Sequence, residues 1–147
     1  MRRTPTALLL AVVSLFSVNA AAVTQVEADK IAARYLARQP AEEVSNDPTK
    51  IVIADLDGDA EPEIVLWWTR MGPTFASSDL TVFADNGKGF VAAGSENLMG
   101  NVEDMTVAKG MISVVSKMPA PGDPRCCPSS VKNTRFVWRA GKLTQSK

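Results

Sequence analysis

No histidine occurs anywhere in this chain of 147 residues. Its absence removes the commonest general base and the commonest metal ligand at neutral pH. Ser-His-Asp and Cys-His catalysis are therefore excluded within the chain. Only two cysteines are present, and they are neighbours, Cys126 and Cys127. Two adjacent thiols without histidine cannot supply the tetrahedral ligand set of zinc, and no C-x-x-C redox motif exists. Beyond residue 22 no apolar run approaches the roughly 20 residues that span a bilayer, so no membrane span is expected in the mature form. There is no repeat of 20–50 residues, which argues against a full propeller or solenoid. No basic stripe with interleaved aromatics exists, so no nucleic acid partner is expected. An enzyme built on this chain would have to use carboxylates, lysines or the two thiols.

What is present begins with Met1-Arg2-Arg3, an apolar run from Ala7 to Val18, and the small residues Asn19-Ala20-Ala21-Ala22. A basic start, a short apolar core and an A-x-A-like end are the parts of a secretory signal. We expect a signal peptide over 1–22, with cleavage after Ala20 or Ala22, and a single domain over 23–147. A retained membrane anchor is the alternative. Export places the mature protein in the periplasm or outside the cell. Without Arg2 and Arg3, 14 basic side chains face 16 acidic ones, a net charge of −2. Residues 21–63 hold 4 basic and 10 acidic side chains, and residues 64–147 hold 10 basic and 6 acidic ones.

The mature chain is long enough for one core, and its periodicity changes once. Thr24-Gln25-Val26-Glu27 matches the S/T-x-x-E capping box. Ala28, Ile31, Ala32, Tyr35 and Leu36 then recur at helical spacing, and Pro40 closes the pattern. A helix is expected over about 25–38, followed by a polar loop over 39–49. After that the runs are short and β-branched. Ile51 to Ala54 reads as a strand. Ile64 to Thr69 is apolar without alternation, as in a strand buried on both faces. Adjacent Trp67 and Trp68 then point to opposite faces, one toward the helix and the other toward solvent, a loop or a partner. Asp85-Asn86-Gly87-Lys88 and Lys109-Gly110 lie between strand-like runs and signal hairpins. Thr134, Phe136 and Trp138 share one face of a late strand, and Leu143 marks a short final one. The expected fold class is α+β: an N-terminal helix packed on an antiparallel β-meander of about six or seven strands.

One motif carries metal chemistry. Asp55-Leu56-Asp57-Gly58-Asp59-Ala60-Glu61-Pro62-Glu63 places acids at positions 1, 3, 5, 7 and 9 of a loop. Calcium takes six to eight oxygens at about 2.3–2.6 Å, and closely spaced carboxylates can provide them. Asp55, Asp57 and Asp59 would offer side-chain oxygens, Glu61 its backbone carbonyl, and Glu63 a direct or water-bridged carboxylate. Position 12 is Leu66 and the flanks are strand-like, so the loop is not an EF-hand. An acidic β-turn without metal is the alternative, because Asp and Gly favour turns on their own account. Basic side chains from the second half could also neutralise the cluster.

An apolar strand, D-x-D-G-D-x-x-x-[DE] and a second apolar strand, spanning Ile51 to Val65, resemble the calcium loop of FG-GAP and VCBS repeats. The resemblance implies a structural calcium ion held by Asp55, Asp57, Asp59 and Glu63. Two features depart from that pattern. Ala60 stands where those loops usually carry glycine, a position that often needs φ > 0, and the loop occurs once, so the propeller fold does not transfer.

Adjacent cysteines in an oxidising compartment invite pairing, yet their Cα atoms lie only about 3.8 Å apart, short of the usual 4.4–6.8 Å. A vicinal disulfide stiffening a loop, two unpaired thiols, and an intermolecular or redox role all remain open. The signal, the D-x-D-G-D loop and Asp123-Pro124-Arg125-Cys126-Cys127-Pro128-Ser129 together are similar to small bacterial exported proteins, including lipoproteins of the LppP/LprE type. That implies a cell-envelope home, but this chain lacks the lipoprotein cysteine. Trp67, Trp68 and Trp138 could form a binding platform or simply fill a core. Glu61 and Glu63 could act as a hydrolytic carboxylate pair. The expectation is a non-catalytic envelope protein with a calcium-type loop that binds a protein or envelope component. A thiol redox protein, and an inhibitor or immunity protein against an envelope-targeting enzyme, are the alternatives.

Overall fold

A computed structural model describes residues 22–42 and 44–146. The expected export signal lies outside these residues except for Ala22. The first element is helix α1, Gln25–Leu36. Its start is the expected capping box: the Thr24 backbone N–H donates to Glu27 Oε2 at 2.8 Å, and the Glu27 N–H donates to Thr24 Oγ1 at 3.3 Å. Ala28, Ala32 and Leu36 recur every fourth residue and are buried. The two alanines let the helix axis lie close to the surface beneath it.

Among the described residues, eight strands follow in two sheets of four. The first sheet is the meander β1 (Ser45–Ala54), β2 (Glu63–Met71), β3 (Ala76–Asp85) and β4 (Phe90–Leu98). The second is the meander β5 (Asn101–Ala108), β6 (Met111–Met118), β7 (Ser130–Arg139) and β8 (Lys142–Ser146). All pairings among the described residues are antiparallel and join chain neighbours. Both expected hairpins are present, at 86–89 and at 109–110.

The expected single meander of six or seven strands is corrected in count and layering. The division falls at Met99 and Gly100. Gly100 has φ 78°, and a Cβ there would lie 2.5 Å from the Lys117 carbonyl oxygen. Only glycine tolerates that conformation and that approach, and the chain turns there out of one sheet and into the next. Folding the second meander over the first buries both apolar faces. The other correction concerns the polar stretch 39–49, whose second half belongs to β1. That strand is an edge, so Pro48 is tolerated there, and its pairing with β2 shifts between Pro48 and Lys50.

β2 lies between β1 and β3 and is buried on both faces. Val65 and Trp67 face the second sheet and pack with Leu80, Ile112, Val114, Phe136 and Trp138. Ile64, Leu66 and Trp68 face outward and pack with α1 and Phe83. The layers are therefore helix, sheet, sheet. Trp67, expected to face solvent, a loop or a partner if Trp68 met the helix, instead fills the space between the sheets. Trp67, Trp68 and Trp138 are 7%, 3% and 2% exposed, which removes them as a surface platform.

Candidate metal centre and the Cys-Cys loop

The acidic loop is the β1–β2 connection, residues 55–62, and its shape is set by its own carboxylates. Asp55 Oδ1 accepts from the Gly58 N–H at 2.7 Å, and Asp55 Oδ2 accepts from the Ala60 N–H at 3.1 Å. Such side-chain-to-backbone bonds are how aspartate closes a tight turn. Gly58 takes φ 85°, and Ala60 takes φ 71° despite its Cβ. The backbone thus adopts at Ala60 the left-handed conformation for which glycine is the usual choice.

Leu56 anchors the loop. Its side chain is buried in the core between the sheets, and its carbonyl abuts the β5–β6 turn, where a Cβ on Gly110 would lie 2.6 Å away. Its N–H donates to Glu63 Oε2 at 2.8 Å. Glu63, the first residue of β2, is 5% exposed. Burial raises the pKa of its carboxyl. The Leu56 N–H opposes that shift, and the negative charges of Asp57 and Asp59 add to it.

Asp55, Asp57 and Glu63 converge, with one carboxylate oxygen from each lying within 4.8 Å of the others. Asp59 and Glu61 fall outside that group. Asp59 Oδ1 accepts from the Glu61 N–H at 2.8 Å. The group contains only oxygen donors and carries several like charges, a composition suited to a hard cation. It lacks the nitrogen and sulfur ligands that select zinc or copper. The residues present therefore fit calcium in donor type, and Asp55, Asp57 and Glu63 are the side chains that could hold it.

No protein-family model, curated protein or solved structure matches the chain. Its chemistry is therefore read from its own residues.

The two cysteines lie in the β6–β7 connection, residues 119–129, at the opposite end of the strands from the acidic loop. Their sulfurs are at bonding distance, their Cα atoms are 3.8 Å apart, and both residues are exposed. The loop hangs on Asp123, a residue that sequence reasoning passed over. Asp123 Oδ2 accepts from the Ala120 and Ser129 N–H groups, both at 2.7 Å, and the Ser129 hydroxyl donates to Oδ1 at 2.9 Å. The Ala120 bond, then those from Ser129, hold the Asp123 carboxyl below the usual aspartate range. The sequence signal was there in part: aspartate in a turn-rich segment tends to hydrogen-bond nearby backbone N–H groups.

Proposed function

We propose that the chain is an exported, non-catalytic binding protein of the cell envelope, with calcium as a structural ion in its β1–β2 loop. The observation that carries the metal reading is the convergence of Asp55, Asp57 and buried Glu63 within 4.8 Å. Three carboxylates at that spacing repel one another, the more so where burial lowers the local dielectric. A divalent cation would cancel that repulsion and tie the start of β2 to the loop above it. The FG-GAP-like spacing of the motif supports the same reading, as does the left-handed backbone at Ala60. Export rests on the basic-apolar-small order of residues 1–22 alone.

The test is thermal unfolding in calcium and in chelator. An ion that binds only the folded state at about 100 times its Kd adds about 2.7 kcal/mol, which raises the midpoint on the order of 10 °C. Asp57→Ala should abolish the response by removing a ligand. It should leave the loop's shape intact, because among the described residues the loop's hydrogen bonds use Asp55, Asp59 and Glu63. Identical midpoints with and without calcium would leave a bare acidic turn.

The exposed Cys126–Cys127 pair favours a second reading, a thiol redox role. Disulfide-reductase turnover that disappears in both Cys126→Ser and Cys127→Ser would establish it, and absence of turnover in the wild-type protein would end it.

A further inference from the structure

One helix is too narrow for the sheet it covers. Four strands about 4.8 Å apart set the outer strands roughly 14 Å from each other, whereas a helix with its side chains is about 10–12 Å across. α1 sits over β1 and β2 and reaches β3 through Tyr35, whose ring meets Trp68 and Phe83 edge-on at centroid distances of 6.2 and 5.2 Å. Beyond Tyr35, toward the β3–β4 hairpin, the outer face of the sheet stays open. Two adjoining hollows of about 570 and 460 Å³ lie there and share Ile31, Arg34, Gly89 and Phe90. Their size is that of a small-ligand site.

The groove has an apolar floor and a cationic rim. Val23, Ile31 and Phe90 are half-buried against the core beneath the helix and form the floor. Arg34 borders it from α1, Arg38 from the turn just after α1, and Lys88 from the hairpin. Among the described residues, none of these three cations takes part in an ion pair. Two acids lie close by, each already hydrogen-bonded: Glu27, which borders the first hollow and closes the helix cap, and Asp85, which accepts from the N–H groups of Gly87 and Gly89. The helix dipole favours positive charge at Arg34 and Arg38, near the C-terminus. It accounts neither for Lys88 nor for the placing of all three around one apolar trough.

We propose that this groove binds a single-chain anionic amphiphile, with its acyl chain on Ile31, Phe90 and Val23 and its head group among Arg34, Arg38 and Lys88. The floor selects against the other anions. A free phosphate gains nothing from apolar side chains. A peptide would have to lay some backbone N–H and C=O groups over the apolar side chains of the floor, which is unfavourable. An acyl chain carries no polar group along its length. The inference deepens the binding reading above and relies on it only for the compartment. It does not depend on the acidic loop.

The test is calorimetric titration of the purified protein with dodecanoate, with and without chelator. Saturable binding is expected in roughly the tens to hundreds of micromolar, in keeping with a ligand of this size. The titration should be unchanged by chelator, so a failure of the calcium reading would leave it intact. Dodecanol should bind at least about fivefold more weakly, and inorganic phosphate not measurably. Arg34→Gln with Arg38→Gln should lower dodecanoate affinity by roughly five- to twenty-five-fold, since one exposed ion pair is worth at most about fivefold. Both arginines are exposed, so near-ultraviolet circular dichroism should show the variant folded. Equal affinity for dodecanoate and dodecanol, an unaffected double variant, or binding of oligo-glutamate in place of dodecanoate would each overturn the proposal, the last by assigning the groove to an acidic protein.

Discussion

Two tryptophans one residue apart show how the environment decides what a side chain is worth. Trp68 Nε1 donates to Thr81 Oγ1 at 3.1 Å, and the Ser95 hydroxyl reaches the same oxygen at 3.2 Å. Trp67 Nε1 is buried between the sheets without a partner among the described residues. Replacing either indole by phenyl removes similar apolar area. Only Trp68→Phe also breaks a buried hydrogen bond, whereas Trp67→Phe removes an unsatisfied donor. Trp68→Phe is expected to be the more destabilising by about 1 kcal/mol, as read from urea midpoints at constant slope. The reverse order would mean that Trp67 Nε1 finds a partner in solution. Asp123 makes a different prediction. Its pKa is lower folded than unfolded, so its contribution is present above the ordinary value near 3.9 and is lost as pH falls through the lower folded value. The amide resonances of Ala120 and Ser129 should move together in that acid range, while those of β6 and β7 stay in place. Resonances of the loop that never move would remove Asp123 as the clasp.

At the level of elements, the acidic loop and the link between the sheets place opposite demands on one backbone conformation. Ala60 holds a positive φ with a Cβ, which for an L-residue costs roughly 1–2 kcal/mol. Ala60→Gly should relieve part of that strain and raise stability by up to about 1 kcal/mol, even though glycine gains freedom in the unfolded chain. Gly100→Ala would place a Cβ against the Lys117 carbonyl at a positive φ and should lower stability by at least about 2 kcal/mol. Parallel thermal melts of the two variants check both signs. Elements with strong local chemistry were legible in the sequence: the Thr24–Glu27 cap, the Asn86-Gly87 hairpin, the doubly buried run at Ile64–Trp68, and the acidic loop between two strands. The start of β1 was not, because Ser45–Thr49 is polar and contains Pro48, and its strand conformation comes from pairing with β2. The break at Gly100 was hidden too. A lone glycine does not say which way the chain leaves it, and the reason for it is a carbonyl seventeen residues further on.

On the scale of the whole molecule, the strands give it two unlike ends. The acidic loop, the 86–89 hairpin and the β5–β6 turn cluster at one end. The β2–β3 turn, the Met99–Gly100 link and the Cys-Cys loop cluster at the other, where Met71, Phe75 and Met99 are exposed. A rim of three cations around a defined hollow distinguishes the groove beside α1 from that second end, where the charged side chains include the Lys117–Glu103 pair. The candidate cation loop was visible from spacing alone because its ligands are near neighbours in the chain. The groove was not, because its rim joins Arg34 and Arg38 to Lys88, about fifty residues away, through sheet geometry that no short motif encodes.

The sorting of strands into two consecutive sheets has a kinetic consequence. Every ladder joins a strand to the next one in the chain, so little loop entropy is lost before pairing is rewarded. Sandwiches with long crossovers lose far more. Refolding should therefore be quick for a molecule so rich in strands, nearer to mixed α/β domains than to slow all-β ones. Amide hydrogen exchange should also divide protection into two blocks that meet at Gly100, each able to form from its own stretch of sequence before the faces close on one another.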